Sequence, residues 1–492
     1  MDNRGAEDSS SREATASDTG AVTSGMGIGT SGFLAHLPRV PLFFLGVGVY
    51  RAWIELVYVR PLVESPTWLI AGHDVFDIAM VATLLLCAVL SRMIVPISDR
   101  RWALWGAGIL MVGGTVLNFW SFRDPAIAEW AAFPGAIAAG AGTALIILLW
   151  SEFFSCLNPL RVALYYSLSL LLGAFIVLIM KGFVFDYLAV ITTLLPVISL
   201  VFVVRSFQAI PPQDRPKRAW GKFSFPWKPV ALMAVYGYAF GMRETAIYLE
   251  SGPHSSWGVV LVSAVVAVGV ISRHERFDLA IIYRAGLPLM VGGLLLVPLI
   301  PDLGTSVSNF CVSASYASFT ILIMLILSSI SYRYGVGAVW LFGIERGLRA
   351  LVMWLGRATT AGLAESGLSS SAQATVVSVV VVLLVVVATM ILLSEKELSS
   401  RWGVTFIGNG ESSKEIHEKN RLATLCLQMA ATYQLSPREA EVLQLLAQHK
   451  SIADVERELF IARGTAKAHI GHIYGKLGIH TRSELFAMLG LE

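Results

Sequence analysis

Charged side chains are scarce in this sequence of 492 residues. Asp, Glu, Lys and Arg make up 14% of the chain, against about 25% in typical soluble proteins, while 55% is hydrophobic and the mean hydropathy is +0.67. A water-soluble chain of this length could not cover so many apolar side chains with polar ones. We therefore predict an integral membrane protein. The net charge of +3 is too small to indicate a partner.

Cysteine is scarce as well. The four cysteines, Cys87, Cys156, Cys311 and Cys426, lie far apart, and none belongs to a CxxC pair. This spacing argues against a zinc site or a disulfide framework. The sequence also shows no evident catalytic nucleophile, metal-ligand set or phosphate-cradling loop. We therefore expect no cofactor, no metal and no enzymatic activity.

The amino-terminal segment, residues 1–37, has no apolar periodicity. It is rich in Ser, Thr, Gly and Ala, and it lacks the basic start and apolar core of a signal peptide. Such a segment buries too little surface to offset its ordering entropy, so we predict a disordered tail.

Residues 38–393 contain a succession of apolar stretches near the ~20 residues that a helix needs to cross a bilayer. The stretches lie at residues 40–58, 68–91, 102–120, 127–150, 162–181, 184–204, 229–248, 257–272, 279–300, 307–330, 337–356 and 374–393. We therefore predict an all-α fold, with a polytopic membrane bundle of about twelve transmembrane helices.

Lys and Arg are distributed unevenly over the loops. With the amino terminus inside, the outer loops hold only Arg60, Arg123, Lys181 and Arg357. The inner loops hold Arg92, Arg100, Arg101, Arg161, Arg205, Arg215, Lys217, Arg218, Lys222, Lys228, Arg273, Arg276 and Arg333. The positive-inside rule then predicts a multi-pass protein of the bacterial cytoplasmic (inner) membrane, with both termini in the cytoplasm.

The longest inner loop, residues 205–226, is basic and contains proline, and it divides the helices into six and six. The fragment Ser98-Asp99-Arg100-Arg101 lies in the loop between the second and third stretches. In both respects this region resembles the major facilitator transporters, although the loop fragment lacks the leading glycine of that family's motif. The resemblance implies a bundle of two six-helix halves.

Ionisable residues inside the apolar stretches are costly there, so they are candidates for function. Arg51 and Glu55 are spaced to pair on one helix face. The set can form structural ion pairs within the bundle, or it can line a polar cavity for an unknown small-molecule ligand. Its members are Arg51, Glu55, Asp74, Asp77, Arg243, Glu244, Arg284, Glu345 and Arg349.

Residues 394–433 are polar and then amphipathic, with Leu422, Leu425, Met429 and Tyr433 at helical spacing. This pattern predicts a linker with a helix that joins the membrane part to residues 434–492. The pattern leaves open whether this helix also dimerises.

Residues 434–492 carry the signals of four short helices. Ser436, Pro437 and Glu439 form a capping box with proline at the first helical position. A second helix is expected from Ser451 to Leu459, followed by a turn at residues 460–464. Thr465 is expected to cap a third helix that ends at Gly478, and Thr481 a fourth. The tight turn between the second and third helices is typical of a helix-turn-helix unit.

This segment resembles the LuxR/NarL-type DNA-binding domain. It matches the pattern L-[ST]-x-R-E-x-E-V-L-x-L-L-A, then L-x-I-[SA]-x-x-T-x-K-x-H, then I-Y-x-K-L-x-[IV]-x-[ST]-R-x-E-L. His449 stands where the family usually has Gly, and Gly471 where Lys or Arg is frequent. The resemblance implies a helix-turn-helix domain, with Glu439 bracing the fold.

Charge supports DNA as the partner. Residues 459–483 carry Arg463, Lys467, Lys476 and Arg482 without a carboxylate, whereas residues 436–458 have a net charge of −2. Lys467 and Ala468 are predicted to contact base edges. Arg463, Thr465, His472, Lys476 and Arg482 are predicted to contact phosphates, and His469 either a phosphate or the core.

The combined features predict a membrane-embedded transcriptional regulator. It would sense a signal through the transmembrane helices and bind double-stranded promoter DNA as a homodimer. The alternative is a major-facilitator-like solute transporter, or transporter-sensor, with a regulatory DNA-binding tail.

Overall fold

The computed structural model describes residues 41–64, 68–210, 215, 225–250, 252, 254–272, 280–334, 336–364, 369–392, 422, 425–426, 428–459 and 461–489. The predicted tail, most of the basic connector and most of the linker lie outside the described residues.

The described part of the membrane region contains twelve long helices after a 3-10 turn at Leu42–Leu45. They are α1 (Gly46–Glu64), α2 (Trp68–Val89), α3 (Arg101–Arg123), α4 (Pro125–Phe154), α5 (Pro159–Met180), α6 (Phe185–Ala209), α7 (Trp227–Glu250), α8 (Trp257–Ser272), α9 (Ala280–Leu299), α10 (Pro301–Tyr334), α11 (Ala338–Ala364) and α12 (Ser370–Leu392). Each coincides with one predicted apolar stretch, which confirms the all-α prediction.

Six of the described helices, α3, α4, α5, α6, α10 and α12, are long and apolar enough to cross a membrane by length and composition. Trp257–Ser272 and Arg284–Leu299 are shorter apolar helices. The remaining four, α1, α2, α7 and α11, carry most of the ionisable residues that the sequence singles out. Four of these ionisable residues line a cavity, described below, and others form ion pairs within a helix or hydrogen bonds between helices.

The packing of the bundle repeats after six helices. In the first half α1 packs on α5 and α6, α2 on α4, and α3 on α4 and α6. In the second half α7 packs on α11 and α12, α8 on α10, and α9 on α10 and α12. The halves meet where α2 contacts α11 and where α5 contacts α8. Helix α8 is the counterpart of α2 in the second half, and α5 is the counterpart of α11 in the first, so these two contacts are also equivalent. This pattern is typical of two internally repeated halves, and it confirms the predicted division into six and six.

Glycines lie at close helix crossings in both halves. A Cβ atom on Gly48 of α1 would lie 2.1 Å from the carbonyl oxygen of Ser169 on α5. At the equivalent crossing of the second half, a Cβ atom on Gly241 of α7 would lie 2.3 Å from a carbonyl oxygen of α11. Since side chains larger than hydrogen do not fit, these glycines fix the distance between the helices.

The described buried side chains form two separate hydrophobic cores. The larger core belongs to the bundle and includes Trp53, Trp150 and Phe342. The indole of Trp53 donates a hydrogen bond to the Thr115 hydroxyl at 2.8 Å, so its polar atom is satisfied. The smaller core consists of residues between Leu422 and Leu489.

Four short helices surround the smaller core: α13 (Pro437–Ala447), α14 (Ile452–Leu459), α15 (Arg463–Leu477) and α16 (Arg482–Leu489). One predicted boundary is wrong. Thr465 does not cap α15, because the helix begins at Arg463 and its N-cap is Ala462. The chain already has helical geometry at Arg463, so Thr465 lies inside the first turn.

Candidate functional site

The start of α13 combines a helix cap with an ion pair. The Ser436 side chain accepts from the backbone N–H of Glu439, and the Glu439 carboxylate accepts from the backbone N–H of Ser436 at 2.7 Å, as the sequence predicts. The same carboxylate binds the Lys476 ammonium of α15 at 2.7 Å. These contacts lower the pKa of Glu439 from 4.5 to about 2, with the Lys476 hydrogen bond contributing most. The ion pair between Glu439 and Lys476 therefore stabilises the packing of α15 on α13.

The helix-turn-helix itself is formed by α14 and α15. Ser451 and Asp454 cap α14 reciprocally, since each backbone N–H donates to the other's side chain, at 3.0 and 3.3 Å. At the far end, Thr481 caps α16 by accepting from the backbone N–H of Glu484 at 3.2 Å, as predicted. The Glu484 carboxylate in turn accepts from the backbone N–H of His480, which lowers the pKa of this carboxyl.

Helix α15 has one buried and one exposed face. Ala466, Ile473 and Leu477 are buried in the smaller core, whereas Lys467 and Ala468 are exposed. On the exposed side, a Cβ atom on Gly464, Gly471 or Gly475 would meet no atom within 4 Å. Because these three positions carry no side chain, the backbone of this face can approach a base edge closely.

Three other predicted contacts also lie on the outside of α15. Arg463, Thr465 and His472 are exposed, and His469 is half-buried. The imidazole of His472 lies 3.8 Å from the Glu439 carboxylate. Their exposure is compatible with phosphate contacts.

Two of the predicted phosphate contacts, Lys476 and Arg482, also make contacts within the domain. The Lys476 ammonium binds the carboxylate of Glu439 and also the Gln434 carbonyl oxygen at 3.2 Å. The Arg482 guanidinium donates to the carbonyl oxygens of Leu446 and Lys450 at 3.1 and 2.9 Å, at the end of α13. Among the described cations of α15, Lys467 and Arg463 are exposed and show no such contacts, which favours them as DNA contacts.

The same helix ending occurs three times in this domain. In each case a residue with positive φ follows the helix, and the next backbone N–H donates to the carbonyl five residues back, as in a Schellman motif. The three residues are Gln434 (φ 51), His449 (φ 59) and Gly478 (φ 70), and the bonds are Leu435 to Ala430, Lys450 to Leu445 and Ile479 to Tyr474. His449 therefore stands at a left-handed position, which explains why the resembling family has glycine there. Its ring packs 4.3 Å from that of Phe486.

The predicted amphipathic helix contributes to the smaller core. Leu422 is buried there, and Leu425 and Met429 pack against it, whereas Tyr433 is exposed. Cys426 is also buried, and burial raises the pKa of its thiol to about 12. The thiol is therefore an apolar core group rather than a reactive one.

The membrane bundle contains a cavity of about 120 Å³. It is lined by residues of α1, α2, α4, α7, α10 and α11, and thus by both halves. Of the predicted intramembrane residues, Arg51, Asp77, Glu244 and Arg349 line it.

Arg357 joins the two halves beside this cavity. Its guanidinium binds Glu244 of α7 at 2.6 Å, forms a close ion pair with Asp77 of α2, and lies 3.7 Å from Asp74. The imidazole of His73 lies 3.4 Å from Asp77. The sequence placed Arg357 in an outer loop, and this was wrong because α11 continues to Ala364.

A second cluster surrounds the buried Glu345. Its carboxylate lies 3.2 Å from Arg349 Nε and 3.4 Å from Arg346 Nε. Among the described residues, neither the carboxylate nor Arg346 Nε has a hydrogen-bond partner, so charge alone holds these pairs.

Arg51 and Glu55 do not form the predicted pair, because each contacts the segment before α8. Arg51 lies 2.9 Å from His254 Nδ1, and Glu55 accepts from the backbone N–H of His254 at 2.9 Å and from the Ser255 hydroxyl. A loop histidine gives no signal of this role in the sequence.

The last two predicted residues lie elsewhere. Arg243 donates to the Asn309 side chain at 2.8 Å, which in turn binds Glu250. Arg284 is exposed near the start of α9. Neither lines the cavity.

A family model described as bacterial regulatory proteins, luxR family, matches residues 433–489. The spore germination protein GerE of Bacillus subtilis (strain 168) is 42% identical over 50 residues, which are 10% of this chain and 68% of that protein. The chain belongs to the luxR family. The probable HTH-type transcriptional regulator GfsR of Streptomyces halstedii is 40% identical over 50 residues, 10% of this chain. This luxR-family chain spans only 21% of GfsR.

The membrane bundle has a known fold. A crystal structure of a bacterial homologue of the iron transporter ferroportin, in an outward-facing state, superposes with a TM-score of 0.54. The match covers 75% of this chain and 99% of that one, at 11% sequence identity. The likeness shows a transporter-type fold for the membrane part of this luxR-family protein.

Proposed function

We propose that this protein is a membrane-embedded transcriptional regulator. The observation that carries the proposal is the presence, in one chain, of a luxR-family helix-turn-helix domain and a twelve-helix bundle with a charged central cavity. The exposed face of α15 would enter the major groove, with Lys467 and Ala468 at base edges and Arg463, Thr465 and His472 near phosphates.

The test of DNA binding uses the full-length protein in lipid nanodiscs. We expect it to retard a promoter fragment that it selects from a library of genomic fragments more strongly than a shuffled fragment of equal length, and Lys467→Ala to remove this preference. Arg123→Gln is the matched control, because Arg123 forms an exposed ion pair with Asp186. Equal retardation of both fragments by the wild-type protein would contradict the proposal.

Two copies would bind together. One helix-turn-helix unit contacts a single half-site, and paired half-sites lie about 10 bp apart or multiples of this. Helix α16, with Met488 exposed, is the proposed contact between the copies. Inserting about 5 bp between the half-sites should abolish binding, since it turns one half-site to the other side of the duplex. Unchanged binding would show that one copy suffices.

The proposed location is the bacterial cytoplasmic membrane, with both termini inside. The excess of Lys and Arg in alternate loops supports this orientation, and a DNA-binding domain requires it. A reporter active only in the cytoplasm should work when fused after Lys222 or Glu395 and fail after Ser369. Activity at Ser369 would reverse the orientation.

The role proposed for the bundle is sensing. A ligand can act only by binding one arrangement of the bundle more tightly than another. The ion pairs of Arg357 connect α2 of the first half to α7 and α11 of the second, so they hold one such arrangement together. Uptake of a labelled solute into proteoliposomes, without any effect on promoter binding, would favour transport instead.

A further inference from the structure

The cavity is unevenly charged. Among its described lining residues are four arginines and two carboxylates. Both carboxylates, Asp77 and Glu244, bind the same arginine, Arg357. The other three arginines therefore depend on other partners.

Those three arginines, Arg51, Arg346 and Arg349, have few anionic partners. The described carboxylate beside them is Glu345, which lies next to two of them. Their remaining contacts are mostly to neutral atoms near the limit of hydrogen bonding. Among them are His254 Nδ1 at 2.9 Å and the Tyr166 hydroxyl at 3.4 Å from Arg51, the Met324 sulfur at 3.5 Å from Arg346, and the Thr320 hydroxyl at 3.4 Å from Arg349.

Burial makes this arrangement unfavourable without a further anion. Arg346 is 8% exposed and Arg349 is 7% exposed, and a buried charge without compensation is costly. Arg346 Nε also lacks a hydrogen-bond partner among the described residues. We propose that the cavity binds a small organic carboxylate, with Arg51, Arg346 and Arg349 as its anchors. This inference identifies the ligand class of the proposed sensor and rests on that proposal.

The geometry of the donors favours a carboxylate. A guanidinium presents its N–H groups as a planar fork, and this fork matches the two oxygens of a carboxylate. Arg51 comes from the first half of the bundle, and Arg346 and Arg349 come from α11 of the second. A bound carboxylate would therefore connect the halves at a place different from the link made by Arg357.

The rest of the wall limits the size and polarity of the ligand. Phe240 and Tyr316 are stacked with ring centres 4.2 Å apart, and Phe76, Ile54 and Met353 complete an apolar surface. The volume of about 120 Å³ approaches that of cavities that hold benzene, which measure about 150 Å³. This volume sets one ring or a short branched chain as the upper limit for the ligand.

Three probes that differ mainly in charge test this inference: benzoate, benzamide and benzylamine. The full-length protein in detergent is heated at increasing probe concentrations, because a ligand of the folded state raises the unfolding temperature. We expect benzoate to bind about 10-fold or more tightly than benzamide, through charge-assisted hydrogen bonds, and benzylamine to give no shift. Equal shifts for benzoate and benzamide, a larger shift for benzylamine, or no shift at all would overturn the inference.

Substitutions then locate the site. Arg51→Gln and Arg349→Gln should each weaken benzoate binding about 10-fold or more, and Arg349→Lys should weaken it less, because it keeps the charge but loses the fork. Arg123→Gln should leave binding unchanged. If one Gln variant fails to fold, the other variant and the comparison of the three probes on the wild-type protein still test the carboxylate site. Wild-type affinity in both Gln variants would overturn the assignment.

Promoter binding in the same preparation separates this inference from the proposed function. Selective benzoate binding without any change in promoter affinity would keep the carboxylate site and overturn sensing through it. Promoter binding without a response to benzoate in the unfolding assay would overturn the carboxylate site and keep the regulator.

Discussion

Lys467 and Lys476 both lie on α15, yet their surroundings differ. Lys467 is exposed, whereas the Lys476 ammonium binds Glu439 and a backbone carbonyl. We expect Lys467→Ala to reduce discrimination between promoter and non-promoter DNA by about 1–3 kcal/mol, as loss of a good base contact does. Lys476→Ala should instead lower the stability of the domain, because it leaves the buried Glu439 carboxylate without its cation. Promoter titrations and thermal unfolding of both variants measure these effects.

Two results would contradict the roles expected for Lys467 and Lys476. If Lys467→Ala lowers stability and leaves discrimination intact, α15 is not the reading helix. If Lys476→Ala weakens binding to all DNA alike, with a reduced dependence on salt and unchanged stability, Lys476 contacts a phosphate after all.

Glu439 also predicts a dependence of stability on acid. Its pKa is about 2 in the folded domain against 4.5 ordinarily. A carboxyl whose pKa is lowered by folding contributes stability above its unfolded pKa, and this contribution is lost as the pH falls from about 4.5 towards 2. Glu439→Gln should therefore be less stable than wild type at pH 7, and the difference should shrink below about pH 4. Circular dichroism of a 413–492 fragment, which contains the smaller core, measures the two curves. Parallel curves would show that Glu439 does not titrate in this range.

The capping residues of this domain were predictable from sequence, and the ion pairs were not. Ser436 and Glu439 are neighbours along the chain, so their spacing alone indicates the box. Lys476 and Arg482 contact groups more than thirty residues away, and only tertiary packing decides this. The sequence alone does not show that these two cations also bind groups within the domain.

At the scale of the helix, the end of α15 provides a matched pair of glycines. Gly475 lies within the helix and Gly478 follows it with φ 70, and a Cβ atom at either would meet nothing within 4 Å. Only the backbone conformation therefore distinguishes them. Gly478→Ala should destabilise the domain by about 1–2 kcal/mol. Gly475→Ala should stabilise it by about 0.5–1 kcal/mol. Chemical denaturation of the 413–492 fragment measures both, and equal signs would contradict the left-handed helix end.

A second pair of glycines tests the helix crossings of the bundle. Since a Cβ atom on Gly48 would lie 2.1 Å from a backbone oxygen of α5, Gly48→Ala forces α1 and α5 apart. We expect it to destabilise the bundle by about 1–3 kcal/mol, as overpacking does. Gly113→Ala is the control, because a Cβ atom there meets nothing within 4 Å. The unfolding temperature in detergent should fall for Gly48→Ala alone, and a similar fall in both variants would contradict the crossing.

Helix positions followed from hydropathy, whereas helix lengths did not. The apolar stretch of α11 was predicted to end at residue 356, but the helix continues to Ala364. Polar residues after an apolar stretch usually lie in water, and here Arg357 remains inside because carboxylates of two other helices bind it. Pairing between helices that are distant in sequence is the information that hydropathy lacks.

At the scale of the whole molecule, the two halves are joined by charge as well as by packing. Arg357 of α11 binds Asp77 of the first half and Glu244 of the second, and these three side chains are largely shielded from solvent. Such a link between the halves can favour one arrangement of the membrane bundle over another. Breaking this link therefore tests whether the bundle controls the DNA-binding domain.

We expect Arg357→Gln to change promoter output in cells. Removing the arginine leaves Glu244 buried without this cation and leaves Asp77 with His73 alone, at a cost of about 3–5 kcal/mol to the arrangement that brings them together. A two-state bundle would shift away from that arrangement by a factor on the order of 100 or more.

Promoter activity and protein abundance are measured together. The triple variant Arg357→Gln, Asp77→Asn and Glu244→Gln removes the unpaired charges and should return output towards wild type. Arg123→Gln should have no effect, because its pair with Asp186 is exposed. If Arg357→Gln is inserted at normal abundance and gives wild-type output, the bundle only anchors the DNA-binding domain, and the sensing proposal is wrong.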